Sequence, residues 1–359
     1  MTDPSQTQRR RPVRTAPRGV VLYCILGALL SSACGPWGRE GALDAGTAGV
    51  IETLESLAFV PSGRTALDID VGADVDLVVD RFEVTESIWT GLFGEDDPRP
   101  ENFASFVGRQ VGAAPPEAWI LQAPAVGMNL DEARQAARLR GMRLPTFEEW
   151  LWCAAGPRSR RFPAGRQQRG LANTLELGLV RPTPVGAFES GQTPDTGIFD
   201  LLGNVWEWTE PPPPLSGWKT IDADAWPVGG GSGAPAWILG GSFSTPEKVL
   251  FTRDGVALAM GRTTGHRGAD LGMRCVMEAI PFLVSLEDPG NGLPQAARAR
   301  VVAVGARWGS RSVDALEAAR AAAPESSWVE ALLEGAGRGR EATGGGGLDL
   351  PDRDGGLPR

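Results

Sequence analysis

Two acidic residues flank a tight turn in the run from Gly197 to Thr209, and their types and spacing suit cation chemistry. Asp200 lies before Gly203-Asn204, a pair suited to backbone with φ > 0, and Glu207 lies after it. Trp206 and Trp208 fall on one side of an extended segment, where two rigid indoles act as core anchors. A carboxylate buried beside such anchors is costly unless it is paired or bound to a cation. Carboxylates together with turn carbonyls are the oxygen donors that hard ions such as Ca²⁺ prefer. The bland alternative is a Glu207 held by backbone amides, with no metal.

Other chemistry is thinly supplied. His266 is the single histidine, so a His-cluster iron or zinc site is excluded by count. A Ser-His-Asp triad would have to use it, and nothing around Ser242 or Ser244 has the form of a nucleophile elbow. His266 therefore reads as an exposed loop residue. Of the four cysteines, Cys24 and Cys34 lie near the N-terminus, leaving Cys153 and Cys275. Two thiols in an oxidising compartment often pair, and two buried free thiols are the alternative.

Arg9, Arg10, Arg11, Arg14 and Arg18 precede an apolar run from Val20 to Leu30, the order of a secretory signal. The run is too short for a spanning helix. Leu30-Ser31-Ser32-Ala33-Cys34 resembles a bacterial lipoprotein cleavage site, which would make Cys34 a lipidated first residue. Ordinary cleavage after Ala33 is the alternative. The expectation is an exported protein of the cell envelope, held to a membrane by lipid on Cys34 and facing the periplasm or lying at the outer membrane. A net charge of −9 argues against nucleic-acid binding, which relies on cationic contacts to phosphate.

With 48 Gly, 29 Pro and 12 Trp against 1 Tyr, the chain should be turn-rich and pinned by indoles. Residues 34–51 read as a Gly/Ala-rich tether behind a signal at 1–33. Short alternations such as Leu67-Asp68-Ile69-Asp70 and Val75 to Val79 predict strands. Residues 94–118, with four prolines, predict a surface excursion. Asn129 caps a helix running to Arg140 with Glu132 at its third position, and Thr146 with Glu149 forms a capping box for a second helix. Pro211 to Pro214 and Gly229 to Gly231 mark a long loop. Residues 281–335 hold helical stretches at 313–323 and 327–333, and 336–359 read as a disordered tail.

The stretch GIFDLLGNVWEWT resembles the G-L-x-N/D-x-x-G-N-x-W-E-W signature of the formylglycine-generating enzyme family, also called sulfatase-modifying factors. Phe82-Glu83-Val84-Thr85, then RLPTFEEW from Arg143 to Trp150, then GGSF from Gly240 to Phe243 ending in LGMRC at Cys275, follow in family order. The resemblance covers residues 52–280 and implies an α+β, C-type-lectin-like fold rich in irregular loops.

It also implies site residues. Asp200 and Glu207 through side chains, and Gly203 and Val205 through carbonyls, map onto a family calcium site. Asn173-Thr174 stands at another calcium position, where Leu177 replaces the matching acid. A family disulfide implies a Cys153–Cys275 bridge. The family's copper(I)-holding cysteines fall on Thr245 and Leu250, so copper is not expected, because soft thiolates suit Cu(I) and oxygen does not. Thr245, Arg253, Arg262 and Arg267, with Asp254 and Asp270, fall in the segment that lines the family's substrate groove and would suit an anionic, peptide or small-molecule ligand or a protein partner. The reading is a calcium-stabilised binding or scaffold module, a pseudoenzyme lacking the cysteine pair. The alternative is a periplasmic oxidoreductase of formylglycine-generating or pyoverdine-maturation type working without those cysteines.

Overall fold

The computed structural model describes residues 43–66, 70–100, 117–156, 163–164, 170–210, 235–250, 259–289 and 292–343. The expected lipid site at Cys34, Arg253, the loop at 211–234 and the last sixteen positions lie outside the described residues. Among the described residues no helix is long and apolar enough to cross a membrane.

The chain enters through α1 (Ala45–Ser56), whose N-cap Asp44 accepts a hydrogen bond from Thr47 N at 2.9 Å. Strands β1 (Leu57–Val60), β2 (Gly63–Ala66), β3 (Asp70–Ala73) and β4 (Leu77–Asp80) follow. Next come α2 (Glu86–Phe93) and α3 (Glu117–Gln122), then α4 (Leu130–Leu139) and α5 (Phe147–Ala155). The last two begin at the expected capping boxes, Asn129/Glu132 and Thr146/Glu149, with both reciprocal bonds formed in each. A second set of strands comprises β5 (Trp206–Trp208), β6 (Pro235–Leu239), β7 (Ala259–Thr263), β8 (Leu271–Gly272) and β9 (Val276–Glu278), with the short helix α6 (Glu247–Leu250) between β6 and β7. Four helices close the described chain: α7 (Ala279–Val284), α8 (Gln295–Trp308), α9 (Val313–Ala322) and α10 (Ser327–Thr343).

Three sheets result among the described residues: an antiparallel β1-β4-β9, a β2-β3 hairpin, and a mixed β7-β6-β5-β8 sheet in which β5 and β8 run parallel. The pleat sorts the first sheet cleanly. Ala58, Val60, Leu77, Val79 and Val276 face α5 and the family-signature core, while Leu57, Phe59 and Val78 face the terminal helices. That back face is covered by Ile51 and Leu54 of α1 together with Val301, Trp308, Leu316, Trp328 and Leu332. The helices after residue 280 are therefore part of the packing of the sheet.

Two boundaries need correction. The tether at 34–51 holds at most up to residue 44, because Asp44 caps a helix whose Val50, Ile51 and Leu54 are buried. The disordered tail at 336–359 begins too early, because α10 continues to Thr343 with Ala336 fully buried. Its glycines look like breakers in the sequence, yet Gly335 sits where α8 and α10 cross. A Cβ there would lie 2.0 Å from Val302 O, and one at Gly305 would lie 2.1 Å from Leu332 O. The short side chains let the two backbones approach.

Candidate functional site

The turn between Asp200 and Glu207 is built as the residue types suggest. Asp200, Gly203 and Asn204 have φ of 57°, 75° and 57°. Gly203 is required by space as well as by conformation, since a Cβ would meet Asn173 O at 2.3 Å. Asn204 locks the turn through both ends of its amide: Oδ1 accepts from Thr183 N at 2.9 Å and Asn173 Nδ2 at 3.1 Å, and Nδ2 donates to Glu83 Oε2 at 2.6 Å. Val205 N donates to the other Glu83 oxygen at 3.1 Å. Trp206 and Trp208 enter one core together, and Glu207, alternating with them, points to the other side.

There Glu207 meets neither backbone amides nor open space. Arg274 Nη2 donates to Oε1 at 2.7 Å and Arg274 Nε to Oε2 at 3.0 Å, while Trp150 Nε1 donates to Oε2 at 2.7 Å. Arg274 is pinned in turn by the carbonyls of Asp80 and Phe199, each at 2.8 Å. Asp200 accepts from Gly186 N at 2.6 Å, and burial raises its carboxyl to about 6. Glu83 is pushed well above the usual carboxylate range by burial first and then by the charges of Asp200 and Glu207.

Three buried carboxylates thus share one guanidinium. Among the described residues no three His, Cys, Asp or Glu side chains converge as a metal set, so a cation here would draw on Asp200, Glu207 and the turn carbonyls of Gly203 and Val205. That donor set fits a hard ion. Both Glu207 oxygens already serve Arg274, and one also serves Trp150.

The positions at which the resemblance places copper ligands do not fit copper. Thr245 Oγ1 accepts from Ser242 N at 3.0 Å, and Leu250 is buried against Gly241, where a Cβ would lie 2.1 Å from Leu250 Cδ2. A hydroxyl and an isobutyl group offer no soft donor. In their place is a hydroxyl–carboxylate cluster that the sequence reading undervalued. Ser242 Oγ donates to Asp270 Oδ2 at 2.7 Å, Ser244 Oγ donates to the same oxygen at 3.0 Å, and the two hydroxyls are 2.8 Å apart. The signal was an acid directly before LGMRC.

His266 is half-buried, not exposed. Burial and then Arg262 pull its imidazole below the usual range, with Asp270 opposing. No hydrogen bond joins it to Ser242 or Ser244 among the described residues, so no catalytic triad is assembled.

Two expectations for the ligand groove and the thiols are overturned. Arg267 donates to Gly127 O at 2.9 Å and to Glu132 Oε2 at 2.6 Å, so it staples its loop to the start of α4 and offers no free guanidinium. Cys153 and Cys275 are free, buried thiols with no bridge between them. Cys153 packs with the α5 core and Cys275 with the Trp206–Trp208 core, and burial raises each thiol to about 12. Among the described residues, Arg262 Nη1 donates to Gly261 O at 3.0 Å, and its Nε is buried with no partner, as is Thr263 Oγ1.

Residues 64–279 match the Sulfatase-modifying factor enzyme 1-like domain. The chain belongs to the sulfatase-modifying factor family. Among its relatives, an inactive C-alpha-formylglycine-generating enzyme 2 from Bos taurus is 32% identical over 171 residues, 44% of this chain and 52% of that protein. A formylglycine-generating enzyme from Streptomyces coelicolor is 30% identical over 44% of this chain and 53% of its own length. A hercynine oxygenase from Mycolicibacterium thermoresistibile is 36% identical over 33% of this chain and 29% of its own length. The chain spans about half the length of the curated formylglycine-generating relatives it matches. Treponema denticola variable protein 1 superposes with a TM-score of 0.45 at 15% identity, covering 62% of this chain and 94% of that one. The fold is the α+β, loop-rich, C-type-lectin-like one that the family resemblance implies.

Proposed function

We propose that the chain is a binding module of the cell envelope that keeps the sulfatase-modifying-factor scaffold without cysteine oxidation. In this reading, lipid on Cys34 holds it to a membrane and calcium at Asp200, Gly203, Val205 and Glu207 stiffens the turn. Its ligand site is the cluster of Ser242, Ser244 and Asp270 with Arg262.

The observation that carries this reading is the occupancy of positions 245 and 250 by a hydrogen-bonded threonine and a packed leucine. The Bos taurus relative, itself described as inactive, supports it. A shared scaffold does not by itself carry an activity. The chain's own side chains are then left to bind and orient: Asp270 holds two hydroxyls in register, and Arg262 carries a guanidinium whose Nε has no partner among the described residues.

The deciding experiment incubates the purified protein with Cu(I), oxygen and a cysteine-containing peptide. The peptide thiol is expected to survive unchanged; its conversion to an aldehyde overturns the proposal. Mass spectrometry of the mature N-terminus is expected to find diacylglycerol on Cys34, and an unmodified Cys34 removes the anchor.

A further inference from the structure

The segment from Thr174 to Arg181 forms a rim beside the Ser242–Asp270 cluster. Leu175 N donates to Thr245 O at 3.2 Å, and the Glu176 carboxylate accepts from Glu247 N at 2.9 and 3.0 Å. The rim is therefore tied to the same segment that carries Ser242 and Ser244. Along it Leu175, Leu177, Leu179 and Val180 are 47%, 37%, 38% and 59% exposed. Single exposed aliphatics are ordinary on a protein surface, but four within six consecutive positions are not.

The row is held in place. Val180 has φ of 53°, a left-handed conformation that β-branched residues avoid and that persists only where the surroundings impose it. Its neighbour Arg181 lies 4.3 Å over the Trp119 ring, and Arg181 O accepts from Asn173 Nδ2 at 2.9 Å.

The polar side of the cluster has complementary groups left without a partner among the described residues. Asp270 Oδ2 receives both seryl hydroxyls, which leaves Oδ1 to accept from a ligand. Arg262 Nε and Thr263 Oγ1 are buried without partners. An acceptor for a cation, a guanidinium for an anion and an aliphatic rim together describe a zwitterion carrying an alkyl group.

We propose that this site binds a free α-amino acid with an aliphatic side chain. The ammonium meets Asp270 and Ser244, the carboxylate meets Arg262, and the side chain lies on Leu175 and Leu177. The inference rests on the reading of the Ser242–Asp270 cluster as a ligand site and adds the ligand's class and the residues that select it.

Titration calorimetry of the full chain with alanine, 2-aminobutyrate, norvaline and norleucine tests it, since each member adds one methylene. A fully buried methylene is worth about fourfold in affinity, so a partly covered rim should give about twofold per step. The Leu175→Ser/Leu177→Ser variant should flatten the series, bringing the ratio of norleucine to alanine affinity close to one. Asp270→Asn should abolish binding of all four, and norleucine amide should bind far more weakly than norleucine. Silence with all four amino acids in the unaltered protein overturns the proposal, and the oxidase assay bears separately on the binding-module reading. Binding that is indifferent to side-chain length, or to the paired Leu→Ser change, overturns the role of the rim. Norleucine amide matching norleucine overturns the contact with Arg262.

Discussion

Glu207 and Arg274 form a two-point ion pair at 2.7 and 3.0 Å, with each side chain 1% exposed. Sixty-seven positions separate them in sequence. Because Arg274 also grips the carbonyls of Asp80 and Phe199, the pair joins the mixed β-sheet to the end of β4 and to the Asp200 turn. Removing one partner strands the other charge in the interior. Arg274→Met is expected to cost about 3–5 kcal/mol, read from the urea midpoint. Adding Glu207→Gln to it should recover part of the loss, and strict additivity of the two changes would contradict the pairing.

Asp200 gives the fold a proton dependence whose sign is fixed. Its folded carboxyl stands at about 6 against an ordinary 3.8, so between these values the native state binds more protons than the unfolded one. The contribution to stability is full below the ordinary value and is lost as pH rises through about 6. In chelator, the melting temperature should rise on acidifying from pH 7 toward 5. Asp200→Asn should flatten that slope and raise stability at pH 7 by up to roughly 3 kcal/mol. Calcium reverses the argument, because a bound cation favours the ionised carboxylate. Adding calcium at pH 7 should raise the melting temperature in the unaltered protein and not in Asp200→Asn, and an equal response in both would remove Asp200 from the ligand set.

The thiols of Cys153 and Cys275 should be inert in the native protein. Both are buried and raised to about 12, which leaves almost no thiolate at neutral pH. Ellman's reagent is expected to reach neither cysteine until urea unfolds the chain, and a non-reducing peptide map should contain no fragment joining 153 to 275. Recovery of that cross-linked fragment would restore the bridge.

The crossing of α8 and α10 can be tested with one methyl group. Gly335→Ala would push a Cβ against Val302 O and Ala306 N and should destabilise by about 1–3 kcal/mol. Gly337→Ala, two positions on and facing open space, should instead stabilise by up to about 1 kcal/mol through helix propensity. Equal effects at the two positions would remove the crossing as the reason for Gly335.

Local chemistry was the legible part of this sequence. The capping boxes at Asn129 and Thr146 formed because each needs only residues three apart. The opposed sides of Trp206/Trp208 and Glu207 followed from strand alternation. What stayed hidden depends on distant partners. Nothing near Glu207 announces Arg274, and nothing near Arg267 announces Glu132, 135 residues earlier, so one acid looked unpaired and one guanidinium looked free for ligand. The spare Gly and Ala composition of residues 45–51 suits a tether until α8 and α10 supply a surface on which it can fold. Asp270 was visible only as one charge of the groove segment and not as the centre of a hydroxyl cluster, because its two seryl partners lie 26 and 28 positions away.

The shared back face of the first sheet sets how this protein can be cut. A fragment trimmed to the family match at 64–279 would lose α1, β1 and all of α8 to α10 at once. It would lay Val78 open to water and deprive β4 of one of its two neighbours. Such a piece should clump, whereas one spanning 43–343 should stay dispersed; the smallest autonomous unit of this chain is therefore wider at both ends than its ancestry alone would suggest.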